Sequence, residues 1–137
     1  MLGEQIEDLK GKITSQRVIE VEPATVETSV YSSGTIRGIQ VNEILTFAGT
    51  PVTSSEVKEG VIHGKGVGII MAESEIATLT GEGIGKISSS GATKWRGSLF
   101  VSTASKGKLA FLNNMIGVFE GEFDAQGNFT NKSWEWK

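Results

Sequence analysis

Residues 59–86 read EGVIHGKGVGIIMAESEIATLTGEGIGK, a stretch with glycine at every second position on either side of a central Glu73-Ser74. Gly64, Gly66 and Gly68 fall on one arm, and Gly81, Gly83 and Gly85 on the other. A turn at Glu73-Ser74 sets Gly66 opposite Gly81, Gly64 opposite Gly83 and Lys65 opposite Glu82. Side chains in a strand alternate, so all six glycines share one face. The other face carries His63, Lys65, Val67, Ile69 and Met71 against Ile84, Glu82, Thr80, Thr78 and Ile76. This bulkier face is expected to be the inner one, and glycines on the outside let the strands coil tightly.

The totals agree with a β reading. Eighteen glycines in 137 residues are about twice the usual share of roughly 7%, and their interleaving with Val, Ile and Thr suits bent strands. The length fits one domain, residues 1–137, built on one core. A net charge of −3 and a pI near 5.2, with no basic cluster, disfavour nucleic acid as a partner. No run of some 18 apolar residues provides a membrane span. The acidic opening MLGEQIEDLK lacks the apolar centre of an export signal, so a cytoplasmic protein is expected. Without cysteine there are no disulfides, and one histidine leaves no typical zinc site. No metal and no cofactor are expected. Asn128-Phe-Thr and Asn131-Lys-Ser match glycosylation acceptors, with no export signal to bring them to that machinery.

Outside the central hairpin the pattern varies in clarity. From Gln5 to Val21, Ile6, Leu9, Ile13, Val18, Ile19 and Val21 fit neither the helical nor the strand period; Pro23 ends the segment. Thr25–Tyr31 reads as strand, and Ser32-Ser33-Gly34 as a turn or bulge. Ile39–Phe47 alternates, with Ile39, Val41, Leu45 and Phe47 on one face beside a single acid, Glu43. A loop is expected over residues 49–55. After Ser88–Gly91, pairing Ile87 with Ala92 sets Trp95 beside Ile84, Leu99 beside Thr80 and Val101 beside Thr78, which leaves Lys94, Arg96, Ser98 and Ser102 on the glycine face. Leu109–Leu112 follows a turn at Ser105–Lys108, and Asn113-Asn114 marks a bend. In the last hairpin Asp124 faces Asn128, Glu120 faces Lys132 and Val118 faces Trp134, while Phe119, Phe123 and Phe129 share the other side. Aromatic residues on both faces leave the inner one open, and a homo-oligomer, dimer or trimer, is one way to bury the second. Turn signals at this density indicate an all-β antiparallel meander of about eight strands, closed into a barrel that removes its unpaired edges.

Glycine motifs invite a phosphate-loop reading that the spacing refuses. The pattern is GxGxG within strand-like alternation, and GEGIGKI has no Ser or Thr after its lysine. The constellation with the most chemistry is His63, Lys65, Glu82 and Lys86. Lys65 lies across from Glu82, with His63 and Lys86 close by and Trp95 as a flat wall. Such a group can bind a carboxylate or polarise a carbonyl, with Glu82 as general base where burial raises its pKa. The competing reading is an ordinary cross-strand ion pair at the rim. Glu43 is a second candidate acid, against the alternative of a carboxylate satisfied by a neighbour.

Leu79–Val101, LTGEGIGKISSSGATKWRGSLFV, resembles the glycine-rich hairpin of the allene oxide cyclase and dirigent-protein barrels. It departs from them at Glu82, where those proteins often carry a small residue. The resemblance implies an eight-stranded barrel, frequently a trimer, around an apolar cavity for a lipid-like or phenolic ligand. Neither family's functional positions can be matched residue by residue. The expected function is a lumen that binds an apolar molecule with a polar head, with isomerase- or cyclase-like chemistry open. Glu82, Lys65, His63 and Lys86 would stand at the polar end and Trp95, Leu99, Val67 and Ile69 along the wall. The alternative is a non-catalytic structural or oligomeric module whose barrel is filled by side chains.

Overall fold

The computed structural model describes residues 1–52 and 60–137. Eight antiparallel strands follow one another in chain order: β1 (Leu2–Val21), β2 (Ala24–Ile36), β3 (Ile39–Pro51), β4 (Val61–Ala72), β5 (Glu75–Ile87), β6 (Thr93–Ser102), β7 (Met115–Phe123) and β8 (Asn128–Trp136). Each pairs with its neighbour, and β1 pairs with β8, so the meander closes into a barrel. Closure pairs the edges that an open sheet would present. At the seam the Met1 amino group donates to the Lys137 carbonyl, and the Lys137 amide donates to Met1 O at 2.7 Å.

The central hairpin pairs as its sequence indicates, Gly66 with Gly81, Gly64 with Gly83 and Lys65 with Glu82. Its orientation is the reverse of the expected one: the glycines look into the lumen. A Cβ at Gly64 would meet the Trp95 and Phe47 rings, and one at Gly66 would meet Phe47 and Leu45. His63, Lys65, Val67 and Ile69 consequently stand on the outer wall with Glu82 and Lys86, all exposed. Space decides the matter, because large residues of β3, β5 and β6 already fill the interior and β4 must present little side chain to them. The next hairpin accounts for the difference: Trp95, Leu99 and Val101 do face inward as expected, but through another register with β5. β5 and β6 pair one residue away from the expected register, Ile87 with Thr93, Gly85 with Trp95, Gly81 with Leu99 and Leu79 with Val101. A one-residue slip moves every side chain to the opposite face. Trp95, Leu99 and Val101 therefore share the lumen with the glycines, and Lys94, Arg96, Ser98 and Phe100 lie outside.

Two further segments differ from their sequence reading. Ser32–Gly34 is not a turn; β2 runs through it to a tight turn at Arg37-Gly38, where φ is 47° and 78°, the positive pair that two-residue hairpins require. β3 continues through Gly49 and Thr50 to Pro51, and the rest of the expected loop, 53–55, lies outside the described residues. Ala110–Leu112 forms a turn of 3₁₀ helix. Ile39–Phe47 alternates as expected, with Val41 and Glu43 buried, and the Asp124–Asn128 register of β7 and β8 holds, Phe123 facing Phe129.

The lumen has two differently filled ends. At one, the β6–β7 connection folds inward, and Leu109 and Leu112 pack without exposure against Ile36, Ile70, Ala77 and Met115. Arg37 fastens this end from outside, donating to Glu135 at 2.6 Å with its guanidinium 5.0 Å from the Phe111 ring centre. At the other end Phe47, Trp95, Phe123 and Phe129 form an aromatic cluster with Val30. Phe123 and Phe129 stack at 4.7 Å, and Phe47 meets Trp95 edge-on at 5.3 Å. Beyond Ile13 the β1–β2 hairpin stands past the reach of β8, which leaves Val18, Ile19 and Val21 exposed.

Candidate functional site

Between the two ends lies a cavity of about 90 Å³. Its wall is apolar apart from one patch made by Glu7, Glu43, Asn131 and Ser133. Alternation along β3 turns Glu43 inward between Val41 and Leu45. Glu7 arrives by a different route. β1 advances from Gln5 to Glu7 while β8 moves only from Trp134 to Ser133, so Ile6 is one residue in excess on β1. This bulge buries Ile6 and Glu7 together, and the Ile6 carbonyl is taken up by the Arg37 amide at 2.7 Å. Bulges of this kind re-aim a side chain that strict alternation would have sent to water.

The two carboxyl groups have unequal surroundings. Glu7 Oε1 accepts hydrogen bonds from Asn131 Nδ2 and Ser133 Oγ, both at 2.8 Å, and Asn131 Nδ2 also lies 3.3 Å from Ser133 Oγ. Glu43 Oε2 is buried without a hydrogen-bond partner among the described residues. Burial is the main force on both. It raises the Glu7 pKa against the opposing pull of the Ser133 and Asn131 donors. It raises that of Glu43 much further, and the nearby Glu7 charge adds to the effect. The pair thus combines a carboxyl group pushed toward its protonated form at Glu43 with a better-supported hydrogen-bond acceptor at Glu7. A neutral acid beside a carboxylate can donate to one ligand atom and accept from another.

Of the residues singled out in the sequence, Glu43, Trp95 and Leu99 border this cavity. Lys65 and Glu82 do meet, Nζ to Oε1 at 3.2 Å, with side chains 69% and 58% exposed, on the outside. His63, Lys86, Val67 and Ile69 share that outer face. Glu82 also borders the cavity, between Gly81 and Gly83, with its side chain turned outward to Lys65. Gly97 gives Glu82 no space; a Cβ there would collide with the Glu82 carbonyl. The residues that the sequence reading missed are Glu7, Asn131 and Ser133. Asn131 and Ser133 alternate with Phe129 and were legible as one face of β8, but nothing local marked that face as inner. Their inward position also takes Asn131-Lys-Ser out of contention as a glycosylation site.

Among the described residues, no helix is long and apolar enough to cross a membrane. Comparison with family models, with curated proteins and with solved structures finds no match.

Proposed function

We propose that the barrel binds a small apolar molecule in its lumen and fixes it by one polar group held at Glu43 and Glu7. The observation that carries this reading is Glu43 Oε2, a buried oxygen without a partner on the wall of an otherwise apolar cavity. Buried polar groups are almost always hydrogen-bonded, because leaving one unmade costs on the order of 1–3 kcal/mol. A ligand donor at that oxygen supplies what the chain does not. The resemblance of Leu79–Val101 to the allene oxide cyclase and dirigent barrels, which enclose apolar cavities, points the same way. A neutral acid beside an acceptor is also the equipment for isomerase- or cyclase-type proton transfer. With no cysteine to oxidise, the chain suits the reducing cytoplasm.

The second reading, a structural barrel filled by its own side chains, is favoured by the tight packing at both ends of the lumen. Native mass spectrometry of protein purified from its source, paired with the Glu43→Gln variant, separates the two. A co-purifying small molecule retained by the wild type and lost from the variant is the expected result. A ligand-free barrel whose methyl resonances in Leu79, Leu99 and Val101 ignore a panel of small apolar compounds would leave only the structural reading.

A further inference from the structure

The lumen is acidic as well as apolar. Among the described residues, the charged ones that border it are Glu7 on β1, Glu43 on β3 and Glu82 on β5, whose side chain is turned outward to Lys65; no Lys, Arg or His is among them. Facing the two carboxyl groups are the Asn131 amide and Ser133 hydroxyl of β8, both already engaged at Glu7 Oε1. Ile70 pairs with Glu43 from β4, and Ser32 pairs with it from β2. Two buried acids therefore share one cavity with no cation among the described residues to offset them.

A ligand could answer this in two ways. A neutral carbonyl or ether accepts one hydrogen bond from a protonated Glu43 and leaves the two acids unable to ionise together. An ammonium group carries three N–H donors and a positive charge, so it can meet Glu43 Oε2 and the remaining lone pairs of Glu7 while neutralising their mutual repulsion. The rest of the wall is apolar and suits the body of such an amine. A carboxylate ligand, such as a fatty acid, meets like charge and no counter-ion.

Resting on the reading of the lumen as a binding site, we infer that its ligands are small apolar amines, bound as ammonium between Glu43 and Glu7. The cavity of about 90 Å³ is smaller than the roughly 150 Å³ void that admits benzene, so the body that fits without rearrangement has fewer heavy atoms than benzene's six, about four or five. As the ammonium enters, the Glu43 O–H bond breaks, its electron pair stays on the carboxylate and the proton passes to solvent; no other bond changes.

The test uses the full-length protein and three probes of one shape: isobutylamine, isobutanol and isobutyrate. Each is titrated at neutral pH and followed by the resonances of Leu79, Leu99 and Val101, with proton release read calorimetrically in two buffers of different ionisation enthalpy. The amine is expected to bind roughly tenfold to a hundredfold more tightly than the alcohol, the difference made by charge-assisted hydrogen bonds. Its binding releases protons, the alcohol's does not, and isobutyrate does not bind. Glu43→Gln, of nearly the same shape, brings the amine down to the level of the alcohol. Alcohol binding equal to or tighter than amine binding overturns the amine assignment and leaves the binding lumen standing. Amine affinity unchanged in Glu43→Gln also overturns it. Silence from all three probes overturns both.

Discussion

The Trp95 indole lies flat against Gly85 across the β5–β6 ladder, with ring carbons 2.6, 2.7 and 2.8 Å from where a Cβ at position 85 would stand. Gly64, on β4, meets the same ring at 2.7 Å. Gly85→Ala is therefore expected to drive the indole from its place at a cost of about 1–3 kcal/mol, as overpacking does. Combined with Trp95→Leu, the alanine should cost clearly less than it does alone. A double-mutant cycle by chemical denaturation measures that coupling.

Glu43 makes the barrel less stable as pH rises. Its folded pKa is raised by burial and by the Glu7 charge, so the folded state holds a proton that the unfolded state has already released. Stability is then greatest below the unfolded carboxyl range and falls from there upward to the raised folded value. Glu43→Gln, an amide with no proton to release, is expected to flatten that decline and to be more stable than wild type at mildly alkaline pH. Denaturation curves of both proteins across the acid-to-alkaline range decide it; parallel curves would refute the assignment.

Ser133 supports the Glu7 carboxylate. Ser133→Ala removes a 2.8 Å donor, one of two hydrogen bonds that hold the Glu7 pKa down against burial. The Glu7 titration should move upward in carboxyl-carbon NMR, and stability at neutral pH should fall by roughly 1–3 kcal/mol.

The ion pair on the outer wall is expected to be energetically quiet. Lys65 and Glu82 are each more than half exposed, and exposed pairs contribute about 0–1 kcal/mol. Glu82→Gln should leave the denaturation midpoint within a few degrees of wild type and the lumen resonances unmoved.

Glu75 organises the plug at the buried end of the barrel. Its carboxylate accepts from the Ser105 hydroxyl, the Lys108 amide at 2.9 Å and the Leu109 amide at 3.1 Å. The Ser105 bond foremost, then the Leu109 amide, holds its pKa low. A depressed carboxyl contributes its stability above the unfolded pKa and loses it as pH falls through the folded one. Hydrogen exchange at Lys108 and Leu109 should accelerate in acid, and in Glu75→Gln already at neutral pH; equal protection in the variant would contradict this role.

Much of this architecture was written locally. The Glu73-Ser74 turn and the flanking glycines gave the β4–β5 register residue for residue, and Asp124–Asn128 did so for β7 and β8. Which face of the central hairpin is the inner one was not local information. It depends on the volume contributed by Phe47, Leu79, Trp95 and Leu99 from other strands, and on five residues, Ser88–Ala92, standing between the Ile87–Thr93 pair where the reading allowed four. Glu43 was visible because β3 alternates without interruption. Glu7 was hidden by the bulge at Ile6, the same irregularity that made Gln5–Val21 fit neither period.

The seam between β1 and β8 has a bearing on how the protein is made. Asn131 and Ser133 reach Glu7 across 124 and 126 residues of chain, so while a nascent chain is still emerging from the ribosome its acidic anchor has no donors. Until the eighth strand arrives, the first shows a bare edge with a carboxylate poised beside it, and charge on an unpaired edge discourages neighbouring chains from pairing there. The acid that would grip a ligand in the finished barrel thus doubles as a guard during synthesis.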